Sequence, residues 1–419
     1  MTAVALHLPA ARAACRGCGH STVPVLDLGS MPIANELAPT AVAARTQERF
    51  PLGLHLCPSC GLLRVGHDVA PERLFRDYRY FSSFADTMVS HAAALVDRTC
   101  AALDLGPDDL VLEIASNDGY LLQHYARRGI LVLGVDPAEE AARVAERERG
   151  VPTVCAFFDR ALARAMARHG TRPRVIHAHN VVGHIPDPLD LLRGIAELLR
   201  DDGVALVEIP DAGLLLESAA FDTIYHEHYS YFTVTGLVGL CRRAGLTVLD
   251  VERTAVHGGS LLVTAARSGT SLPIRPRVAA ELRGDVERET TSPRRWARLA
   301  ATVEARRQAL RAKLAELPRP IWAYGASAKG CVLLNWAGLG PTEIPCVVDR
   351  SPHKQGRFVP GVGAEIVPPE AIDGGARPLP ATLLLTVWNL RAEVLQQQRA
   401  FLERGGRFVT AVPSVEVFP

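Results

Sequence analysis

Val111-Leu-Glu-Ile-Ala-Ser-Asn-Asp-Gly119 is an apolar run that passes through a turn of small and polar residues into the helical stretch Tyr120–Arg128. Strand, tight turn and helix open a parallel α/β unit, in which backbone meets a ligand at the carboxyl end of the strand. Further apolar runs flank it at Leu110–Ile114, Ile130–Val135, Val175–Ala178 and Val204–Ile209, with helix-like segments such as Leu189–Arg200 between them. This alternation predicts a parallel sheet covered on both faces.

The turn also carries chemistry. Glu113 is an acid inside an apolar strand and needs a partner to offset burial. Asp136 ends the next strand, a placement that suits hydrogen bonds to the two hydroxyls of a ribose. A dinucleotide site would place G-x-G-x-x-G here, facing a pyrophosphate. Ala115, Ser116, Asn117 and Asp118 stand there instead, and two potential anions beside a pyrophosphate would be repulsive, whereas a sulfonium and an amino group match better. The reading is S-adenosylmethionine, held by Glu113, Ala115, Ser116, Asn117, Asp118, Asp136, Pro137 and Asn180. The plainer alternative is a loop that only joins strand to helix.

The 419 residues exceed one ordinary core and favour two or three domains. A net charge of +1 with 22% charged residues gives no electrostatic case for a nucleic-acid or membrane partner. No apolar run approaches the roughly 18–20 residues of a membrane span, and Met1 to Ala14 make a poor signal peptide, so a cytoplasmic protein is expected. Its nine cysteines then read as thiols or metal ligands.

Cys15-Arg-Gly-Cys18 and Cys57-Pro-Ser-Cys60 are two C-x-x-C knuckles, each able to offer two thiolates to one tetrahedral zinc. Four sulfurs leave no open position, so the predicted zinc is structural. It would hold together a Gly-, Pro- and Cys-rich stretch too poor in apolar residues to fold alone. Cys100, Cys155, Cys241, Cys331 and Cys346 lack such partners and read as small core residues.

A new pattern begins near Leu282. Trp296, Leu299, Val303, Leu310, Leu314 and Leu317 fall on one helical face, predicting one long amphipathic helix that Pro318 and Pro320 end. A second alternating set follows at Ile321–Tyr324, Cys346–Val348, Leu383–Val387 and Phe408–Ala411. In Tyr324-Gly-Ala-Ser-Ala-Lys-Gly330, small residues with exposed backbone donors and a lysine suit phosphate binding.

Phe221-Asp-Thr-Ile-Tyr-His-Glu-His-Tyr-Ser-Tyr-Phe232 packs two histidines, two acids and three tyrosines into twelve residues. Carbon accepts a methyl group only after losing a proton, which is feasible beside a ketone. Such a site needs a base with pKa near operating pH and donors for the enolate oxygen, and histidine supplies the base without a large shift.

These motifs, in this order, make the chain resemble the sugar-nucleotide C-methyltransferases that act on keto-deoxysugars in antibiotic biosynthesis. The resemblance spans nearly the whole length. It also rests on Tyr78-Arg-Tyr-Phe-Ser-Ser83, Val182-Gly-His-Ile-Pro-Asp187, His257-Gly-Gly-Ser260 and Trp388-Asn389. It implies an α/β protein with a zinc-binding module at 1–75, a Rossmann-like S-adenosylmethionine methyltransferase domain at 76–280, and a second Rossmann-like domain at 281–419 for the sugar nucleotide. It further implies His228 as base, supported by Tyr225 and Glu227, with His184 over the pocket and Tyr78 and Tyr80 closing it. His226 reads as structural. The substrate's diphosphate is expected at Ser327, Lys329, Asn335, Asp349, Trp388 and Asn389. The alternatives are methyl transfer to another acceptor, including oxygen or nitrogen, and a noncatalytic protein that keeps the cofactor fold.

Overall fold

Leu110–Ile114 is a central strand of a seven-stranded sheet. The computed structural model describes residues 13–75, 83, 86–374 and 377–419, and among these the chain forms three sheets. The first contains β1 (Val23–Met31), β2 (Phe50–Leu56) and β3 (Leu63–Val65). The second starts with β4 (Leu110–Ile114), β5 (Leu131–Val135), β6 (Thr153–Val154), β7 (Val175–His179) and β8 (Val204–Pro210). The short β9 (Ser230–Tyr231) returns to the first sheet, and β10 (Leu246–Thr254) and β11 (Ser260–Arg267) complete the second. The third comprises β12 (Ile321–Tyr324), β13 (Cys346–Val348), β14 (Glu365–Val367), β15 (Thr382–Leu385), β16 (Arg407–Thr410) and β17 (Glu416–Phe418).

The second sheet has the order β10-β11-β8-β7-β4-β5-β6. Strands β4 to β8 pair in parallel, and β11 lies antiparallel between β8 and β10. Both faces are covered, and β4 shows why the strand reads as an unbroken apolar run. Val111 packs toward the helices Asp86–Leu103 and Leu122–Ala126, while Leu112 and Ile114 pack toward Arg160–Arg168 and Pro188–Leu198. The third sheet repeats the plan in the order β14-β13-β12-β15-β16-β17, parallel except for β17. In each sheet the winding direction reverses beside the first strand, between β4 and β7 and between β12 and β15. Those crevices are where open α/β sheets bind ligands.

The first sheet has the order β1-β2-β3-β9, so the segment expected to hold the base is hydrogen-bonded into the cysteine-rich sheet, with Leu63 opposite Tyr231. Leu52 and Leu54 of β2 share a core with Trp296, Leu299 and Val303, and the same core runs on through Leu310 and Leu314 to the third sheet. The helix Pro293–Glu316 is thus the apolar beam between the two sheets.

The helical region is broken where one helix was expected. Pro276–Glu287 and Pro293–Glu316 are separate because Pro293 has no N–H to continue the first and is well placed to start the second. The Trp296 indole N–H bonds the Thr290 carbonyl at 2.7 Å, fixing the corner. Helix Leu122–Ala126 is shorter than the expected Tyr120–Arg128. Cys241, Cys331 and Cys346 are buried as expected, but Cys100 is half-buried and Cys155 exposed. Among the described residues no helix is long and apolar enough to cross a membrane.

Candidate active site

A cavity of about 410 Å³ lies where the crevices of the second and third sheets face each other, and the loops after β4 and β12 both line it. The β4 loop is backbone-strained: Ala115 and Asn117 sit at φ 56° and 50°, in the left-handed region. Asp136 holds it there. One carboxylate oxygen accepts the Asn117 N–H at 2.8 Å, and the other accepts Ala138 N–H at 2.8 Å. Burial raises the Asp136 pKa, and the two backbone donors oppose that rise. The carboxylate expected to serve a ribose therefore also braces the loop. Lone pairs remain on both oxygens, and Asp136 lines the cavity with Pro137, Ala115, Asn117 and Asn180.

Glu113, Ser116 and Asp118 do not line the cavity. Neither Glu113 oxygen has a hydrogen-bond partner, and burial, with Asp136 and Asp118 nearby, pushes its pKa well up. Burial without the expected partner thus favours the neutral acid. Ser116 is packed against β5, where a Cβ at Gly134 would stand 2.4 Å from its hydroxyl. Asp118 lies 3.3 Å from the Arg149 guanidinium, which also bonds the Asp118 carbonyl. All three support the loop from behind.

His228, His184 and Tyr225 come together in the cavity wall. The His228 ring lies 4.6 Å from His184 and 4.0 Å from Tyr225, centroid to centroid. Its Nδ1 is 3.1 Å from the Thr223 carbonyl, which can only accept. Nδ1 therefore carries the proton, and Nε2 holds the lone pair of the neutral ring. Tyr231 donates to the same carbonyl at 3.3 Å. Glu227 does not line the cavity. It is buried, with both oxygens accepting from Asn35 at 2.8 and 2.7 Å. His226 is buried, bonds the Pro51 carbonyl at 3.3 Å and packs edge-on to Phe50. Tyr78 and Tyr80 lie outside the described residues.

From the third sheet, Ser327, Lys329 and Asn389 line the cavity, joined by Lys354. Lys329 donates to the Asn389 side-chain oxygen at 3.3 Å and sits 5.0 Å from the Trp388 ring centroid. Ser327 caps the helix Ala328–Ala337 by accepting Gly330 N–H at 3.1 Å. Asn335, Asp349 and Trp388 stand outside the lining because their polar atoms are used elsewhere. Asn335 donates to the Cys331 and Pro360 carbonyls, both at 2.9 Å. Trp388 donates its indole N–H to Asp222 at 2.8 Å. Asp349 accepts Ala326 N–H and Ser351 N–H, both at 2.9 Å. That repeats the Asp136 arrangement: in both units the acid after the second strand clamps the loop after the first.

Two features escaped the sequence reading. Asn35, after β1, reaches the cavity from the cysteine-rich sheet. Tyr125, His177, His179 and Glu208, from the helix Leu122–Ala126 and strands β7 and β8, form a buried chain with links of 2.9, 2.8 and 3.1 Å. Glu208 also bonds His91 at 3.0 Å and Thr254 at 2.9 Å. Burial pushes the Glu208 pKa up, yet the histidine bonds outweigh it and the net shift is well down. With Glu208 ionised, His177 and His179 are each fixed as donor at Nδ1 and acceptor at Nε2, while His91 donates from Nε2. The signal was present in His177-Ala-His179, since alternate strand residues share a face.

The four sulfurs of Cys15, Cys18, Cys57 and Cys60 all lie within 4.8 Å of one another. Cys15 to Cys60 and Cys18 to Cys57 are both 3.5 Å, far beyond a disulfide and close to the roughly 3.8 Å edge that a tetrahedral Zn–S shell requires. The knuckles are alike: Gly19 and Gly61, both at φ 76°, donate to the Cys15 and Cys57 carbonyls at 2.9 Å. The donor set fits a structural zinc.

Three families match in succession: "Putative zinc binding domain" over residues 15–75, "Methyltransferase domain" over 85–251 and "C-methyltransferase C-terminal domain" over 255–413. C-methyltransferase NovU of Streptomyces niveus is 37% identical over 412 residues, covering 96% of each chain. The chain belongs to the C-methyltransferase family. As a C-methyltransferase it uses S-adenosylmethionine, and its front module is the zinc-binding one. A ubiquinone biosynthesis O-methyltransferase of Neisseria meningitidis is 26% identical over 163 residues, 35% of this C-methyltransferase and 67% of that protein. The solved magnesium protoporphyrin IX methyltransferase (ChlM) of Synechocystis, with bound SAM, is 17% identical with a TM-score of 0.36, covering 48% of this chain and all of that one. The cavity suits the cofactor: Asn180 leaves a buried side-chain oxygen without a partner, and Phe157, Phe158 and Val181 line the wall with apolar surface.

Proposed function

We propose that this C-methyltransferase methylates the carbon next to the ketone of a nucleotide-diphosphate-linked keto-deoxysugar, as in antibiotic biosynthesis, and works in the cytoplasm. The carrying observation is the His228 ring, fixed by the Thr223 carbonyl so that Nε2 is basic, in a cavity that Lys329 also lines. In this reading Asp136, Pro137, Ala115, Asn117 and Asn180 hold S-adenosylmethionine. When bound, the cofactor supplies a methyl group activated on sulfonium. His228 Nε2 takes the proton from the carbon beside the ketone, leaving an enolate whose oxygen accepts a hydrogen bond from Tyr225 or His184. Glu227 supports the cluster from behind by holding Asn35 in the cavity wall. Lys329, Lys354, Asn389 and the N–H groups at Ser327–Ala328 receive the diphosphate. The work divides among residues 1–75 for zinc, 76–280 for methyl transfer and 281–419 for the sugar nucleotide.

Mass spectrometry tests this, with labelled S-adenosylmethionine and a panel of nucleotide-linked keto-deoxysugars. One labelled methyl on carbon is expected. A label on oxygen or nitrogen would transfer the reading to another acceptor, and no product with intact cofactor binding would favour a noncatalytic homologue.

A further inference from the structure

The turn Phe221–Thr223 is gripped from two sides by the unit that carries Lys329. Phe221 packs against Trp336 of the helix Ala328–Ala337, with ring centroids 4.1 Å apart. Asp222 is fully buried and accepts the Trp388 indole N–H at 2.8 Å on one oxygen, while its other oxygen has no hydrogen-bond partner. The next residue, Thr223, is the one whose carbonyl holds His228 Nδ1 at 3.1 Å. The indole has little freedom. A Cβ at Gly258, which stands at φ 92°, would come within 2.9 Å of it.

A buried acid with one bond is a costly way to fill space, since an amide or apolar side chain of similar size would lose far less solvation. Lys329, whose charge acts on the Asp222 carboxylate, also faces the Trp388 ring at 5.0 Å, so acid, indole and ammonium form one group. Lys329 and Asn389 line the cavity, and so do Thr223 and His228.

We propose that Asp222 is a positioning residue: through its bond to Trp388 it ties the Lys329 end of the cavity to the Thr223 carbonyl that fixes the His228 tautomer. Occupancy of the Lys329 end by an anionic diphosphate then bears on the base as well as on binding. The diphosphate's binding energy appears partly in kcat, as expected when remote contacts orient a reacting group. The inference rests on His228 as base, but its first test needs no substrate.

Trp388→Phe removes the indole N–H while keeping an aromatic face beneath Lys329. Imidazole ¹⁵N spectra, with the His228 signal identified by its loss in His228→Gln, should show Nδ1–H alone in the wild type. Trp388→Phe should show both tautomers. An unchanged His228 spectrum would overturn the link. Kinetics give the second arm: Trp388→Phe should lower kcat about tenfold or more while KM for the sugar nucleotide changes less than about twofold. Asp222→Asn, which can still accept from Trp388, should keep most of kcat. A rise in KM alone would make the pair a substrate contact and sink the proposal. If the tautomer shifts but the wild type turns over no keto-sugar, the link stands and the substrate reading falls.

Discussion

Asn35 donates its side-chain amide to both carboxylate oxygens of Glu227, at 2.8 and 2.7 Å, across 192 residues of sequence. The cysteine-rich sheet thereby contributes a side chain to the cavity and fixes the acid beside the base. Burial lifts the Glu227 pKa to about 7, and the Asn35 bonds restrain it from going higher.

This makes stability depend on pH in a definite direction. A carboxyl that binds its proton more tightly in the native state adds stability below its unfolded pKa and loses it as pH rises through its native value. For Glu227 the loss should span pH 4.5 to about 7, on the order of 3 kcal/mol. Asp222, raised by burial to about 6, adds to the same trend. Denaturant midpoints of Glu227→Gln should fall less over this range than those of the wild type, and Asn35→Ala should extend the loss to higher pH. Parallel pH profiles for all three proteins would refute the assigned charge behaviour.

Zinc analysis should find a single metal per chain. Cys57→Ser should reduce folding yield more than it changes chemistry in the protein that survives, because a structural zinc contributes roughly 10–16 kcal/mol to its module. Since β3 pairs with β9, metal removal by chelator should also perturb Ser230–Tyr231, read by hydrogen exchange. Metal-replete protein without zinc would eliminate the site.

Asp136→Ala should weaken S-adenosylmethionine binding at least about tenfold by calorimetry, since hydrogen bonds to a charged acceptor contribute about 1.5–3 kcal/mol each. Asp136→Asn keeps one acceptor oxygen and should lie between. Unchanged affinity in Asp136→Ala would remove Asp136 from the cofactor site.

The sequence exposed what depends on local pattern. Strands β4, β7, β8 and β12 begin where their apolar runs do, the two C-x-x-C knuckles converge, and Trp296, Leu299 and Leu310 face one core. It also named His228, Tyr225 and His184, which share one wall. What it misassigned was how polar side chains divide between ligand and scaffold. Glu113 and Asp349 look like ligand groups in a strand–loop pattern, yet one is buried under its loop and the other clamps Ala326 N–H. The contacts of Asn35 with Glu227 and Trp388 with Asp222 join residues distant in sequence, so no local spacing announces them. The break at Pro293 was readable from Ser292-Pro293, a cap and a first-turn proline, but the apolar periodicity on either side concealed it.

The central claim is that His228 removes a carbon-bound proton. It is tested most directly by incubating the protein with a nucleotide-linked keto-deoxysugar in deuterated water without methyl donor, and following loss of the hydrogen next to the ketone by NMR. The wild type should exchange that hydrogen. His228→Ala should exchange it roughly 10²–10⁴-fold more slowly, the usual span of general base catalysis, while binding S-adenosylmethionine normally. Exchange and methylation by His228→Ala at the wild-type rate would contradict the account and move the search for the base to His184, the other histidine of that cavity wall.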